Sequence, residues 1–170
     1  MLSSVIFRAL FVLNIIGLTL YPANAVETGD QVPKFSLTSA DGKEVSISDF
    51  AGKVVYLDFW ASWCPPCRVS LPWMNELQNK YSSDDFVVVT INLDSDSSKA
   101  KRIIDEQRLT YPVLLDVQGK IAKLFALPAM PTSFLIGRNG KISLVHSAFR
   151  NEDKESLETS ISKLIKEGTK

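Results

Sequence analysis

The chain has 170 residues, 45% of them apolar, and 19 basic against 19 acidic side chains give no net charge. That length can bury a sizeable core in one domain, and the balance excludes the strong global field that nucleic acid or an acidic partner would require. Only two cysteines occur, Cys64 and Cys67; a disulfide-stapled scaffold uses more pairs at longer spacing, so this pair reads as chemical rather than structural.

The first 25 residues carry one charged side chain, Arg8. An apolar run from Ala9 to Leu20 leads to Ala23-Asn24-Ala25, the small-x-small form of a cleavage site, so this segment reads as an export signal. An uncleaved N-terminal anchor is the alternative, although the run falls short of the ~20 residues that span a bilayer. Either way the remainder, residues 26–170, is expected to face an oxidising compartment outside the cytosol, the periplasm.

Phe35-Ser36-Leu37-Thr38 and Glu44-Val45-Ser46-Ile47 alternate on either side of an Asp-Gly turn and predict a hairpin. A short helical turn is expected around Ser48–Gly52. Val54 to Trp60 is β-branched and aromatic, broken only by Asp58, as an interior parallel strand should be. Arg68 to Tyr81 has apolar residues near helical spacing, which sets Cys64 at or just before a helix start and Cys67 one turn in. Asp85 to Leu93 predicts a second buried strand. Asp94 to Ser98 caps a helix over Lys99–Arg108, followed by a short strand at Tyr111–Leu115 and a short helix at Ile121–Phe125. Thr132–Ile136 and Lys141–Val145 flank Arg138-Asn139-Gly140 as a second hairpin, and an amphipathic helix over Glu152–Lys166 closes the chain. The expected architecture is α/β: one mixed central sheet flanked by helices, with an N-terminal β-hairpin.

Cysteines three apart at a helix start lie within disulfide reach. Unpaired N–H groups and the positive end of the helix dipole favour thiolate there. Cys64, nearest that end, is the expected nucleophile, and Cys67 the resolving cysteine. Pro65 and Pro66 suit the first turn but have no N–H to offer the sulfur, and no histidine lies between the cysteines. The Cys64 pKa is therefore expected nearer ~7 than ~3.5, which biases the pair towards donating electrons. A structural zinc site needs four ligands, and the chain has one histidine and no further cysteine, so the redox reading is preferred.

Asp58-Phe59-Trp60-Ala61-Ser62-Trp63-Cys64-Pro65-Pro66-Cys67, with Pro72 in the following helix, resembles the active site of the thioredoxin superfamily. Gly52-Lys53-Val54-Val55, the N-terminal hairpin and Met130-Pro131-Thr132-Ser133-Phe134-Leu135-Ile136 resemble, more narrowly, the exported TlpA/ResA-like thiol–disulfide oxidoreductases of the redoxin family. The resemblance implies a thioredoxin fold with a central βα insertion, which Ser95–Leu115 would supply. It also implies a cis peptide at Met130-Pro131 that leaves neighbouring backbone free to pair with a substrate strand. Trp63, Pro65, Pro66, Met130, Pro131 and Thr132 are then the expected substrate-binding residues. Relatives commonly carry Glu where this chain has Ser70, and Asn where it has Asp58. Asp58 instead matches the buried aspartate of thioredoxin, whose family role is to take the proton of the second cysteine; a hydrogen-bonded structural carboxylate is the alternative.

Asp94, Asp96 and the nearby serines read as a polar loop, Pro72 as a helix kink, and His146 as a surface or edge residue without Cys or Asp beside it. Trp60 is expected to pack in the core. The reading is an exported protein-disulfide reductase, monomeric and without a cofactor, that contacts no nucleic acid. Its clients would be protein disulfides, by resemblance those of apocytochrome c or copper-site assembly proteins, and it would be re-reduced by a membrane electron donor. The alternative from another class is a copper metallochaperone holding Cu(I) with Cys64, Cys67 and His146. A peroxidase, which would need a single-cysteine Pro-Thr-x-x-Cys arrangement that the chain lacks, is a weaker reading still.

Overall fold

The structure, a computed structural model, describes residues 25–81 and 85–167. All but the last residue of the expected export signal, residues 1–25, lies outside them. Among the described residues no helix is long and apolar enough to cross a membrane.

The N-terminal hairpin pairs β1 (Ser36–Thr38) with β2 (Glu44–Ser46). A 3₁₀ turn over Ile47–Phe50 follows, closed by a capping box between Ser46 and Asp49. The main sheet has the order β5-β4-β3-β6-β7. Its centre is β3 (Val54–Trp60), parallel to β4 (Phe86–Asn92), which is parallel to β5 (Val113–Leu115). On the other side β6 (Thr132–Ile136) and β7 (Ile142–Ser147) run antiparallel. Parallel neighbours require crossovers, and α1 (Pro65–Lys80) and α2 (Ser97–Gln107) supply them. The α2–β5 unit is the expected central insertion and forms one edge of the sheet. Helix α3 (Lys120–Leu124) precedes β6, and α4 (Asp153–Glu167) ends the described chain.

Both faces of β3 are buried, which is why its sequence is apolar at every position but Asp58. Val54, Tyr56 and Trp60 point towards α1, α2 and α4 and meet Leu71, Trp73, Met74, Ile103, Leu157 and Ile161. Val55, Leu57 and Phe59 point the other way and meet Phe35, Phe125, Phe134 and Ile136. Each such side chain contributes about 1.5–3 kcal/mol relative to exposure. Asp58 lies on the α1 side by alternation.

Element ends shift for identifiable reasons. β5 starts at Val113 rather than Tyr111 because Pro112 has no N–H for the ladder, and the Tyr111 hydroxyl instead donates to the Leu71 carbonyl at 3.1 Å. β7 extends to Ser147, beyond the alternating apolar run, because His146 and Ser147 pair with Ser133 and Thr132. Helix α3 is nucleated by Asp116, whose carboxylate accepts from the N–H groups of Lys120, Ile121 and Ala122 at 2.8–2.9 Å. Asp116→Ala is expected to lower stability by about 2 kcal/mol, since it leaves three helix-start donors without their acceptor. Urea denaturation measures it, and an unchanged midpoint would mean that water replaces the cap at no cost.

Candidate active site

Cys64 is the N-cap of α1, with extended backbone, and its sulfur accepts from the Cys67 N–H at 3.3 Å. The two sulfurs are bonded, with Cα atoms 5.3 Å apart. Pro65 and Pro66 fill the first positions of the helix, so Cys67 offers the first N–H of α1 that can reach the Cys64 sulfur. Cys67 is fully buried, and Cys64 is 3% exposed. Ser70, one of the departures from the resembled motif, is buried and donates to the Cys67 carbonyl at 2.9 Å. Pro72 sits inside α1 and cannot donate to the Arg68 carbonyl; the Gln107 side chain does so instead, at 3.3 Å.

The turn that delivers Cys64 is held by a residue that in the sequence looks like part of a polar loop. Asp94, buried just past the end of β4, accepts from both the N–H and the hydroxyl of Ser62 at 2.9 Å, and from the Asn92 side chain at 2.8 Å. The signal was present in position rather than in residue type. Asp94 follows the C-terminal end of a strand parallel to β3, and such ends gather around one crevice.

Asp58 lies in the middle of β3, fully buried, with Thr90 opposite on β4 and Ser133 opposite on β6. Desolvation raises its carboxyl to about 8, and a hydrogen bond with the Ser133 hydroxyl partly offsets the rise. Its Oδ2 is buried with no hydrogen-bond partner among the described residues. The Thr90 hydroxyl is engaged elsewhere, accepting from the Trp60 indole at 3.2 Å and donating to the Pro112 carbonyl at 3.4 Å. In the sequence Ser133 stands only within the motif that follows Pro131; its signal is a hydroxyl in a strand buried at every position.

The Met130-Pro131 peptide bond is cis. Among the described residues the Met130 backbone makes no hydrogen bond, whereas the Pro131 carbonyl accepts from the Ala148 N–H at 2.8 Å. The Met130 side chain packs against the cluster that contains both cysteines. Thr132 is fully buried, and its hydroxyl donates to the Ala129 carbonyl at 2.9 Å, which commits its side chain to the turn. Trp60 is a core residue, while Trp63, adjacent to Cys64, is 67% exposed. Pro65 is exposed and Pro66 half-buried.

His146 lies on the edge strand β7, but an aspartate does stand beside it: its Nε2 is 3.4 Å from Asp153 Oδ2 at the start of α4. The sequence missed this contact because the two residues belong to different elements. Among the described residues no three His, Cys, Asp or Glu side chains come together as metal ligands. The copper-carrier alternative with Cys64, Cys67 and His146 is not favoured.

Residues 27–161 match the Redoxin family. A curated relative, thiol-disulfide oxidoreductase ResA of Bacillus thuringiensis subsp. konkukian, is 33% identical over 170 residues, covering 95% of this chain and 97% of its own. A Chlorobium tepidum crystal structure, provisionally named thiol:disulfide interchange protein DsbE, is 45% identical with a TM-score of 0.80, covering 83% of this chain and 99% of its own. A second structure, a thiol:disulfide interchange protein of the thioredoxin family from Chlorobium tepidum TLS, is 28% identical with a TM-score of 0.72, covering 83% and 99%. The mixed sheet, its flanking helices and the disulfide at the start of α1 thus stand together with the sequence match: this chain belongs to the Redoxin family, has the thioredoxin fold, and is a thiol–disulfide oxidoreductase.

Proposed function

We propose that the protein is an exported reductase of protein disulfides. The observation that carries the direction is the helix start: Pro65 and Pro66 supply no N–H, and the Cys64 sulfur takes its bond from Cys67 N–H. A thiolate stabilised by so few donors makes a weakly oxidising couple. The Cys64 thiolate attacks a client disulfide, forming a mixed disulfide and releasing the first client thiolate. Cys67 then gives its proton to Asp58 and attacks Cys64, which frees the second client thiol and restores the Cys64–Cys67 disulfide. Two electrons leave the protein, and a membrane electron donor returns them.

Client binding uses the exposed Trp63 with Pro65 and Pro66 on one side and Met130 and Pro131 on the other, with the buried Thr132 holding their turn from beneath. The unpaired Met130 backbone suits a client strand laid beside it. Export and a periplasmic location follow from the N-terminal segment, read as a cleaved signal or as an anchor. Its clients are protein disulfides, with apocytochrome c and copper-site assembly proteins as the candidates that the resemblance of the active-site motifs suggests, and the reductase acts as a monomer without a metal or prosthetic group.

Trapping tests the roles. Cys67→Ala is expected to accumulate stable mixed disulfides on Cys64 in cells, while Cys64→Ala captures none; non-reducing electrophoresis and mass spectrometry read this out. Capture by Cys64→Ala instead would reverse the assignment. Equilibration with glutathione or dithiothreitol buffers sets the direction, and a couple as oxidising as about −120 mV would end the reductase reading.

A further inference from the structure

A proton accepted by Asp58 must leave before the next turnover, yet the carboxyl is fully enclosed. Asp58 is opposite Ser133 on β6, and Ser133 is opposite His146 on β7, so the three form one row across the sheet. Opposed residues share a face, here the one covered by α1 and α4, where Leu135 and Leu144 also pack. Tyr56 donates its hydroxyl proton to Ser133 Oγ at 2.8 Å, which leaves the Ser133 proton for the ionised Asp58 carboxylate; once Asp58 is protonated, the second lone pair of Ser133 Oγ can accept from it while the serine proton turns to His146. Two buried polar atoms without a hydrogen-bond partner among the described residues flank Ser133 in this row: Asp58 Oδ2 on one side and His146 Nδ1 on the other. Such atoms are rare in native interiors and mark sites of function or bound water. At its outer end the imidazole is 22% exposed and stands against Asp153. Cβ atoms of opposed residues lie ~5 Å apart, a span that a serine hydroxyl and an imidazole bridge directly or through one water.

We propose that Ser133 and His146 form the route by which Asp58 passes the Cys67 proton across β6 to solvent. This rests on the reading of Asp58 as the base. Cys67 S–H loses its proton to Asp58, and the Cys67 sulfur bonds to Cys64 as the Cys64–client bond breaks. The client thiolate is protonated by solvent, and the proton on Asp58 moves through the Ser133 hydroxyl to His146, which releases it at the β7 edge. No further oxidant or reductant enters. The other titratable groups around the row are Cys67 on α1, Tyr56 on β3, Tyr111 ahead of β5 and Asp153 on α4, with Arg150 3.6 Å from Asp153.

The test is single-turnover oxidation of the reduced protein by saturating glutathione disulfide, followed by tryptophan fluorescence from about pH 5 to pH 9. His146→Gln and Ser133→Ala are each expected to slow the resolving step roughly tenfold to a hundredfold. Added imidazole should restore the His146→Gln rate, which lost packing would not allow. Because His146 is partly exposed, its variant keeps the test open even if Ser133→Ala does not fold. Wild-type rates and pH profile for His146→Gln overturn the route, as does a slowed variant that imidazole fails to rescue. Asp58→Asn separates the two levels: an altered profile there beside an unchanged His146→Gln sinks the route alone, and no change in Asp58→Asn sinks both.

Discussion

Cys64→Ser is expected to abolish disulfide exchange, reducing insulin reduction to the background rate of the added thiol. Serine keeps the size of the side chain and its place as N-cap, but a hydroxyl at neutral pH carries almost no anion and forms no disulfide. The stability cost should be small by comparison. A bridge across three residues closes a loop so short that chain entropy gives it about 2 kcal/mol. The same arithmetic separates the two roles a C-x-x-C pair can have, since a bridge worth so little to the fold is well placed to be broken and remade. Circular dichroism and urea denaturation should show Cys64→Ser folded, with exchange lost. Residual exchange well above background would mean that Cys67 can attack unaided, contrary to its burial.

Asp58→Asn should have the second largest effect, with opposite signs on stability and rate. The folded-state pKa of about 8 lies above the ordinary 3.8, so the fold favours the protonated carboxyl. Its contribution is complete below about pH 4 and is lost as the pH rises through 8. Asparagine never ionises, so at alkaline pH the variant should be more stable than wild type, by an amount on the order of 5 kcal/mol at most. The difference should vanish near pH 4. Urea midpoints across that range measure it, and parallel curves for the two proteins would show that Asp58 is not held protonated. The resolving step should slow roughly a hundredfold in the variant, the usual scale of a positioned base. In wild type that step should accelerate as the pH rises towards 8, as the carboxylate form becomes populated.

The sequence alone determined which segments are strands and helices, because both kinds of evidence are local. Val54–Trp60 is apolar on both faces, and a strand of that kind has to be interior. The prolines after Cys64 and the apolar spacing beyond them place the helix start within a residue. The cysteine pair was legible for the same reason: its chemistry needs only a three-residue spacing and a helix end. Asp58 stood out because a carboxylate in such a strand is costly. What the sequence left undecided is whatever depends on which strands are neighbours. The parallel pairing of β3 with β4 brings Asp94 to Ser62, 32 positions away, and turns an apparent loop acid into the anchor of the Cys64 turn. The antiparallel pairing of β3, β6 and β7 sets Asp58, Ser133 and His146 in one row, although they are spread over most of the folded chain. His146 meets Asp153 because the turn after β7 sets the first residue of α4 beside the end of the edge strand. Periodicity records which face a side chain takes, but partners across a sheet are set by strand order and register. Those are decided by how all the buried faces fit together at once, which only the folded structure displays.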